Sequence, residues 1–281
     1  MTIPYVDAAE VERRLSPGAA VDALEDALRS GLDPEQEPLR SVIGVPGGQL
    51  VVMPSAAAAR PVVKLLTVGG DPRVQGVCLA FDSATLAPAA LVDGIAVTKV
   101  RTSAVSALAV RHLAAPGAAR LLVFGRGPQA HAHVEAIRAV RPIEHVDMLG
   151  RADAARDDLV AAADVICCCT TARDPLFDGR LVAPHATVVA IGSHEPDARE
   201  VDDALASRAT VVVESAASAL AEAGDVILAV DAGVLDPERL VPLAALVRGE
   251  QAPAPDAPRL FKSTGMAWED AVTVNAILSA G

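Results

Sequence analysis

Aromatic side chains are scarce in this chain: Phe, Tyr and Trp together make up 2% of its 281 residues. Hydrophobic residues nevertheless reach 52%, so the core must be built mainly from Val, Leu, Ile and Ala. There is no basic run and no aromatic-and-basic cluster that could neutralise phosphates along a polymer. With 24 basic against 36 acidic residues the net charge is −12, which argues against a nucleic-acid partner. An anionic ligand must therefore be held by local cations or helix N-termini, against the overall field. Lysine is also rare: only Lys64, Lys99 and Lys262 occur, and Lys64 lies inside the apolar run Pro61-Val-Val-Lys-Leu-Leu66.

Long hydrophobic runs are missing too. No uninterrupted apolar stretch approaches the roughly 18 to 20 residues that span a bilayer, so no membrane partner is expected. The N-terminus carries acids early and has no basic segment followed by an apolar one, unlike a secretory signal. The expected location is the cytoplasm. The four cysteines, Cys78 and the run Cys167-Cys168-Cys169, lack the paired spacing of a zinc site or a disulfide framework. Adjacent strand residues point to opposite faces, which works against convergence on one metal. These cysteines are expected to be small hydrophobes in buried strands.

A chain of this length suits two domains. Apolar positions Val11, Leu15, Val21, Leu24 and Leu28 predict two short helices broken at Ser16-Pro-Gly18. Apolar runs at 49–53, 61–68 and 77–81 predict an antiparallel or mixed sheet, and 98–113 a helix ended by Pro116-Gly117. From there strands alternate with helices, the strands falling at 120–124, 145–149, 164–169, 186–191 and 210–213. That alternation predicts a Rossmann-type, doubly wound parallel α/β sheet over 114–258. It is inserted in a smaller α+β domain formed by the two chain ends, 1–113 with 259–281.

The strand Leu121-Leu-Val-Phe124 runs directly into Gly125-Arg-Gly-Pro-Gln-Ala130, which opens a helix. In the pattern G-x-G-x-x-A, Gly125 permits the tight turn and Gly127 lets the backbone approach a pyrophosphate. The small Ala130 allows helix and strand to pack, and the helix N-terminus favours the phosphates. Pro128 suits the first helical turn. At the end of the second strand an acid would bond the ribose 2′-hydroxyl of NAD, yet the chain reads Met148-Leu-Gly-Arg151. Arg151 can pair with a 2′-phosphate, so NADP is preferred, with NAD the alternative. His131 and His133 on the following helix lack the i, i+4 spacing of a metal pair, and no metal site is expected. Nor is there a nucleophile elbow.

The order of motifs resembles the ornithine cyclodeaminase and mu-crystallin family. It comprises Lys64 in an apolar strand, Phe81-Asp82, Thr98-Lys-Val-Arg-Thr-Ser-Ala104, then Gly125-Arg-Gly-Pro-Gln-Ala130. It continues through Ala163-Asp-Val-Ile166 with Thr170, Ile191-Gly-Ser-His-Glu-Pro-Asp-Ala-Arg-Glu200, Phe261-Lys-Ser-Thr-Gly265 and Glu269-Asp270. The resemblance implies a homodimer whose terminal domain binds substrate and dimerises, and whose Rossmann domain binds the dinucleotide. It also implies that Arg101, assisted by Arg40, grips a substrate carboxylate and that Lys64 stands beside the reacting nitrogen or oxygen. An arginine fork holds a carboxylate bidentately, and a desolvated lysine has a lowered pKa suited to proton transfer. Thr98, Gln129, Thr170 and Gly192 join the glycine loop as implied cofactor residues.

Two departures bear on activity. The aspartate with which cyclodeaminases of this family act on an amine falls here on His194, within Gly192-Ser193-His194. Imidazole exchanges protons but would less readily steady a diamine's cationic amino group. The terminal domain is also shorter than expected between Lys64 and Phe81. The expected activity is therefore NAD(P)H-dependent reduction of a small imino acid or the reverse oxidation, with Lys64 and His194 as candidate catalytic groups. The alternatives are a cyclodeaminating lyase that recycles NAD and a noncatalytic NADP(H)-dependent binding protein.

Overall fold

Asp7 and Ser16 each accept a hydrogen bond from the backbone N–H three residues on, at 2.9 and 3.3 Å, and so start two successive helices. In the computed structural model, which describes residues 3–153 and 156–280, these helices are α1 (Ala8–Arg14) and α2 (Pro17–Arg29), preceded by a short strand β1 (Tyr5–Val6). There follow β2 (Ser41–Val45), β3 (Gly48–Ser55), β4 (Val62–Val68), β5 (Val74–Phe81), β6 (Pro88–Asp93) and α3 (Gly94–Leu113). Helix α3 begins before the expected Thr98 because the Asp93 carboxylate accepts from the N–H groups of Ile95 and Ala96 at 3.0 and 2.8 Å.

The alternating part comprises β7 (Arg120–Phe124), α4 (Pro128–Arg138), β8 (His145–Leu149), α5 (Asp157–Ala162), β9 (Val165–Cys168), β10 (Thr187–Ala190), α6 (Asp203–Ala206) and β11 (Thr210–Val213). It continues through α7 (Ala216–Glu222), α8 (Gly224–Asp231), β12 (Val241–Pro242), α9 (Leu243–Val247) and β13 (Arg259–Lys262), and the chain ends in α10 (Ala267–Ser279).

Two compact units result, one of residues 1–105 with 266–281 and the other of 106–265. The first boundary falls inside α3 rather than after it. The second falls at 265 rather than 258, because β13 pairs with both β10 and β11. In the first unit the strands run in the order β1-β6-β5-β4-β3-β2, antiparallel except for β1 beside β6, which makes the sheet mixed. Helix α10 packs on α2 and on β3, β4 and β5.

In the second unit the order is β12-β11-β13-β10-β9-β7-β8, parallel throughout. Leu122, Phe124, Ile166, Cys168, Val188 and Ala190 share one apolar cluster. The intervening Leu121, Val123, Val165, Cys167 and Val189 are buried as well. Both faces are thus covered, as a doubly wound parallel sheet requires. Strand β7 has β8 on one side and β9 on the other, so the chain reverses its direction of travel there. The C-terminal ends of β7 and β9 flank that switch point, where open α/β sheets bind ligands. Among the described residues no helix is long and apolar enough to cross a membrane.

Candidate functional site

In the first unit Lys64 sits mid-strand on β4, with Met53 opposite it on β3 and Cys78 opposite it on β5. All three are buried, Lys64 completely. An ammonium among such neighbours cannot keep its charge without a counter-ion. Helix α10 supplies one: Asp270 Oδ2 lies 2.6 Å from Lys64 Nζ. Arg101, on α3, donates from Nη1 to Glu269 Oε2 at 2.8 Å and places Nε 3.3 Å from Asp270 Oδ1. Glu269 Oε1 accepts from the Met266 N–H at 3.1 Å and so fixes the start of α10. Two cations and two carboxylates therefore neutralise one another in the interior.

Lys64 Nζ and Asp270 Oδ2 thus form a close, water-excluded, charge-assisted pair. Burial holds the Lys64 ammonium below the usual lysine range, with Asp270 opposing and Arg101 reinforcing the effect. Burial likewise raises the Cys78 thiol. Arg40 is half-buried just before β2. Thr98 lies in the first turns of α3, its hydroxyl donating to the Gly94 carbonyl at 2.7 Å.

In the second unit Gly125 has φ +117°, and a Cβ there would stand 2.4 Å from the Cys169 carbonyl oxygen, so only glycine fits the turn. A Cβ on Gly127 would meet open space instead. Gly127 is the N-cap of α4 and makes no side-chain capping bond, and Ala130 is fully buried beneath the turn. A helix N-terminus beside open space at the switch point fits a pyrophosphate. Gln129 is half-buried in the same turn.

Arg151 is exposed past the end of β8, with Nη2 3.4 Å from Thr171 Oγ1. An acid does stand nearby. Asp153 Oδ2 accepts from the Gly150 N–H at 2.6 Å and pairs with Arg126 of the glycine loop at 2.9 Å.

Glu200, the last residue of the Ile191–Glu200 motif, is buried and serves as the hub of this end of the sheet. Its Oε1 accepts from the Thr170 N–H at 2.9 Å and the Thr170 hydroxyl at 2.7 Å, and its Oε2 accepts from the Gly192 N–H at 2.7 Å. A Cβ on Gly192 would lie 2.1 Å from the Thr170 carbonyl oxygen, so glycine is needed for these two loops to meet. Burial raises the Glu200 carboxyl to about 7. Asp225 Oδ1 accepts from the N–H groups of Glu200 and Val201, and its Oδ2 lies 2.8 Å from Lys262 Nζ. Lys262 in turn donates to the Ser193 carbonyl at 2.6 Å. The fixed backbone of Ser193 leads into His194, which is exposed.

Cys168 points into the apolar cluster, whereas Cys167 and Cys169 share the opposite face with His133 of α4. The alternation expected of adjacent residues thus brings i and i+2 together. The Cys167 thiol hydrogen-bonds Cys169 across 3.7 Å. That bond, with His133 beside it, lowers the Cys169 thiol to about 5.

A family profile described as the ornithine cyclodeaminase/mu-crystallin family matches residues 4–161 and 151–279. The chain belongs to this family. It is 32% identical to the ketimine reductase mu-crystallin of Rattus norvegicus, over 97% of this chain and 96% of that one. It is 33% identical to a Δ1-pyrroline-2-carboxylate reductase of Colwellia psychrerythraea, over 71% of each. Among solved structures, the Δ1-pyrroline-2-carboxylate reductase of Thermococcus litoralis, in complex with NADH and L-proline, superposes with a TM-score of 0.92. That match has 25% identity and covers 99% of this chain and 97% of that one.

Within this family member, the structure brings Lys64 and Arg101 together and joins Thr170 to Gly192. Glu269 and Asp270 were legible as part of a motif but not as counter-ions. The available signal was a pair of acids heading the otherwise apolar run Ala271-Val-Thr-Val274. Glu200 gave no comparable signal, because acids before a helix are ordinarily solvated.

Proposed function

We propose that this chain is an NAD(P)-dependent oxidoreductase that reduces the C=N bond of a small imino acid, with a ring of the pyrroline-carboxylate kind as the first candidate. The observation that carries this reading is the buried Lys64–Asp270–Arg101–Glu269 quartet. It offers a buried ammonium whose counter-ion is a single carboxylate, next to a guanidinium held by two carboxylates. In this reading Arg101 receives the substrate carboxylate through paired N–H groups, and Arg40 assists it. Lys64 stands at the imine nitrogen, and Asp270 sets how readily it holds its proton. The bound dinucleotide, when present, supplies the hydride to the carbon bearing nitrogen and carboxylate.

Gly125, Gly127, Pro128, Gln129 and Ala130 hold the pyrophosphate in this reading, with Thr98, Thr170 and Gly192 completing the cofactor site. The Thr170 hydroxyl already donates to Glu200, so it meets the cofactor as an acceptor. Arg151 favours the 2′-phosphate of NADP, while Asp153 already accepts from Gly150 and pairs with Arg126 through Oδ2. His194, at the end of an anchored loop, is the second proton carrier.

The working form is a homodimer, supported by edge strand β2, which exposes Val42, Ile43 and Val45. Exposed apolar edges of this kind call for a partner. The test is loss of reduced-nicotinamide absorbance with NADPH or NADH and a panel of cyclic imino acids, alongside an ammonia assay with ornithine. Turnover of an imino acid, lowered on the order of 10²- to 10³-fold in kcat/KM by Arg101→Ala, is the expected result. Ammonia release without net cofactor consumption would replace the reading with the lyase.

A further inference from the structure

Two thiols, Cys167 near the end of β9 and Cys169 just past it, face the His133 imidazole of α4, and the proposed reduction uses none of the three. Sγ of Cys167, Sγ of Cys169 and a ring nitrogen of His133 all lie within 4.8 Å of one another. We propose that these three side chains form a binding site for a thiophilic divalent cation, zinc(II) in the first instance, directly beneath the dinucleotide loop.

Three features carry the assignment. The two sulfurs are 3.7 Å apart. Two thiolates bound at about 2.3 Å to one tetrahedral zinc are separated by roughly 3.8 Å, so the sulfurs already stand at the edge of such a tetrahedron. The imidazole is also oriented as metal-binding imidazoles are. Nδ1 lies 2.7 Å from the Gln129 carbonyl oxygen, which can only accept, so Nδ1 carries the hydrogen and Nε2 is the nitrogen left to face a metal once the ring is neutral. Nε2 now lies 2.9 Å from the Ser106 hydroxyl, a small group that can turn aside. Finally, His133 and Cys167 are buried while Cys169 is only partly buried. Cys169 is thus the ligand nearest to solvent, the side from which an ion and a fourth, solvent ligand would come.

A disulfide fits the same pair less well. Residues i and i+2 of an extended strand have Cα atoms roughly 6.6 Å apart, near the upper limit for a disulfide. A shared ion needs no such contraction. On binding, whatever protons the two sulfurs and Nε2 still hold leave to solvent, the Cys167–Cys169 and His133–Ser106 hydrogen bonds give way to metal bonds, and no covalent bond within the chain breaks. Because the Cys169 carbonyl abuts Gly125, occupancy would tie the end of β9 to α4 on either side of the switch point.

The experiment uses the full chain, reduced, stripped with a chelator and free of dinucleotide. Cobalt(II) serves as a spectroscopic stand-in, followed by zinc(II) in competition with a chromophoric chelator. The expected result is one equivalent bound, with thiolate-to-cobalt charge-transfer absorption and tetrahedral visible bands. Affinity should fall at least tenfold in Cys167→Ala, Cys169→Ala and His133→Ala, and stay unchanged in Cys168→Ala. A second measurement needs no variant: zinc should slow alkylation of Cys169 in the native chain at least tenfold, read by peptide mass. Absence of stoichiometric uptake, uptake that survives loss of both Cys167 and Cys169, or alkylation indifferent to zinc would each overturn the site. None of these readouts depends on imine reduction, so failure here and failure of the proposed activity are separable.

Discussion

Replacing Lys64 by Met or Asp270 by Leu should be far more damaging singly than together. The charges stand 2.6 Å apart and are almost wholly buried. At an effective dielectric constant near 20 their attraction is about 6 kcal/mol. That attraction offsets a desolvation penalty of several kcal/mol for each ion. Removing one partner leaves the other to bear its penalty alone, a cost of roughly 3 to 5 kcal/mol.

In Lys64→Met the quartet keeps Arg101 against Glu269 and Asp270, one net negative charge. In Asp270→Leu it keeps one net positive charge. The double substitution leaves Arg101 with Glu269 at 2.8 Å and no net charge. At roughly 2 to 4 °C per kcal/mol for units of this size, each single change should lower the melting temperature by roughly 6 to 20 °C. The double variant should melt above both single variants. Imine reduction should be lost in all three, because the group proposed at the imine nitrogen has gone or lost its counter-ion. Scanning calorimetry and the absorbance assay measure the two effects separately. A double variant destabilised by the sum of the two single changes would refute the argument, since it would mean that the charges do not compensate each other.

Four further outcomes follow from the same geometry. Because Asp270 raises the Lys64 pKa against the effect of burial, Asp270→Asn should move the alkaline limb of kcat/KM to lower pH; an unmoved or higher limb would exclude Lys64 as its source. Burial raises Glu200 from 4.5 to about 7. The folded chain thus holds a proton there that the unfolded chain releases. The resulting stability is fully present below pH 4.5 and is lost as pH rises to about 7, by about 3 kcal/mol. Glu200→Gln should flatten that part of the melting-temperature profile relative to the native chain. Gly125→Ala should weaken NADPH binding and lower the melting temperature, because it forces a Cβ to 2.4 Å from the Cys169 carbonyl at φ +117°. Strain of this kind costs on the order of 1 to 3 kcal/mol, and both effects are readable by titration and calorimetry. Arg151→Ala should weaken NADPH binding about tenfold while leaving NADH nearly unchanged; equal losses for both cofactors would remove Arg151 from the 2′-phosphate site.

Much of this chain was determined locally. A strand running into Gly125-Arg-Gly-Pro-Gln-Ala130 needs no distant partner to form its turn, because the positive φ of Gly125 and the small side chain of Ala130 are properties of those residues. The helix break at Ser16-Pro17 and the alternation of strands and helices after Pro116 are local in the same sense. Lys64 stood out from sequence because a charge within a β-branched apolar run is costly wherever the run folds.

What the sequence could not reveal depends on long-range pairing and on parity along strands. Strand β13 enters the sheet between β10 and β11 because parallel register with both was available to residues 259–262, and nothing local to that segment assigns it to one unit. Lys64, Arg101 and Glu269-Asp270 come from three distant segments, and only their joint burial turns two acids at a helix start into counter-ions. Glu200 reads as a solvated helix-start acid until the N–H groups of Thr170 and Gly192 converge on it. Cys167 and Cys169 read as core filler until α4 lays His133 over their shared face. In each case residue type set the charge or the donor, and the low dielectric of a packed interior, which forces such groups to find one another, decided what it meets.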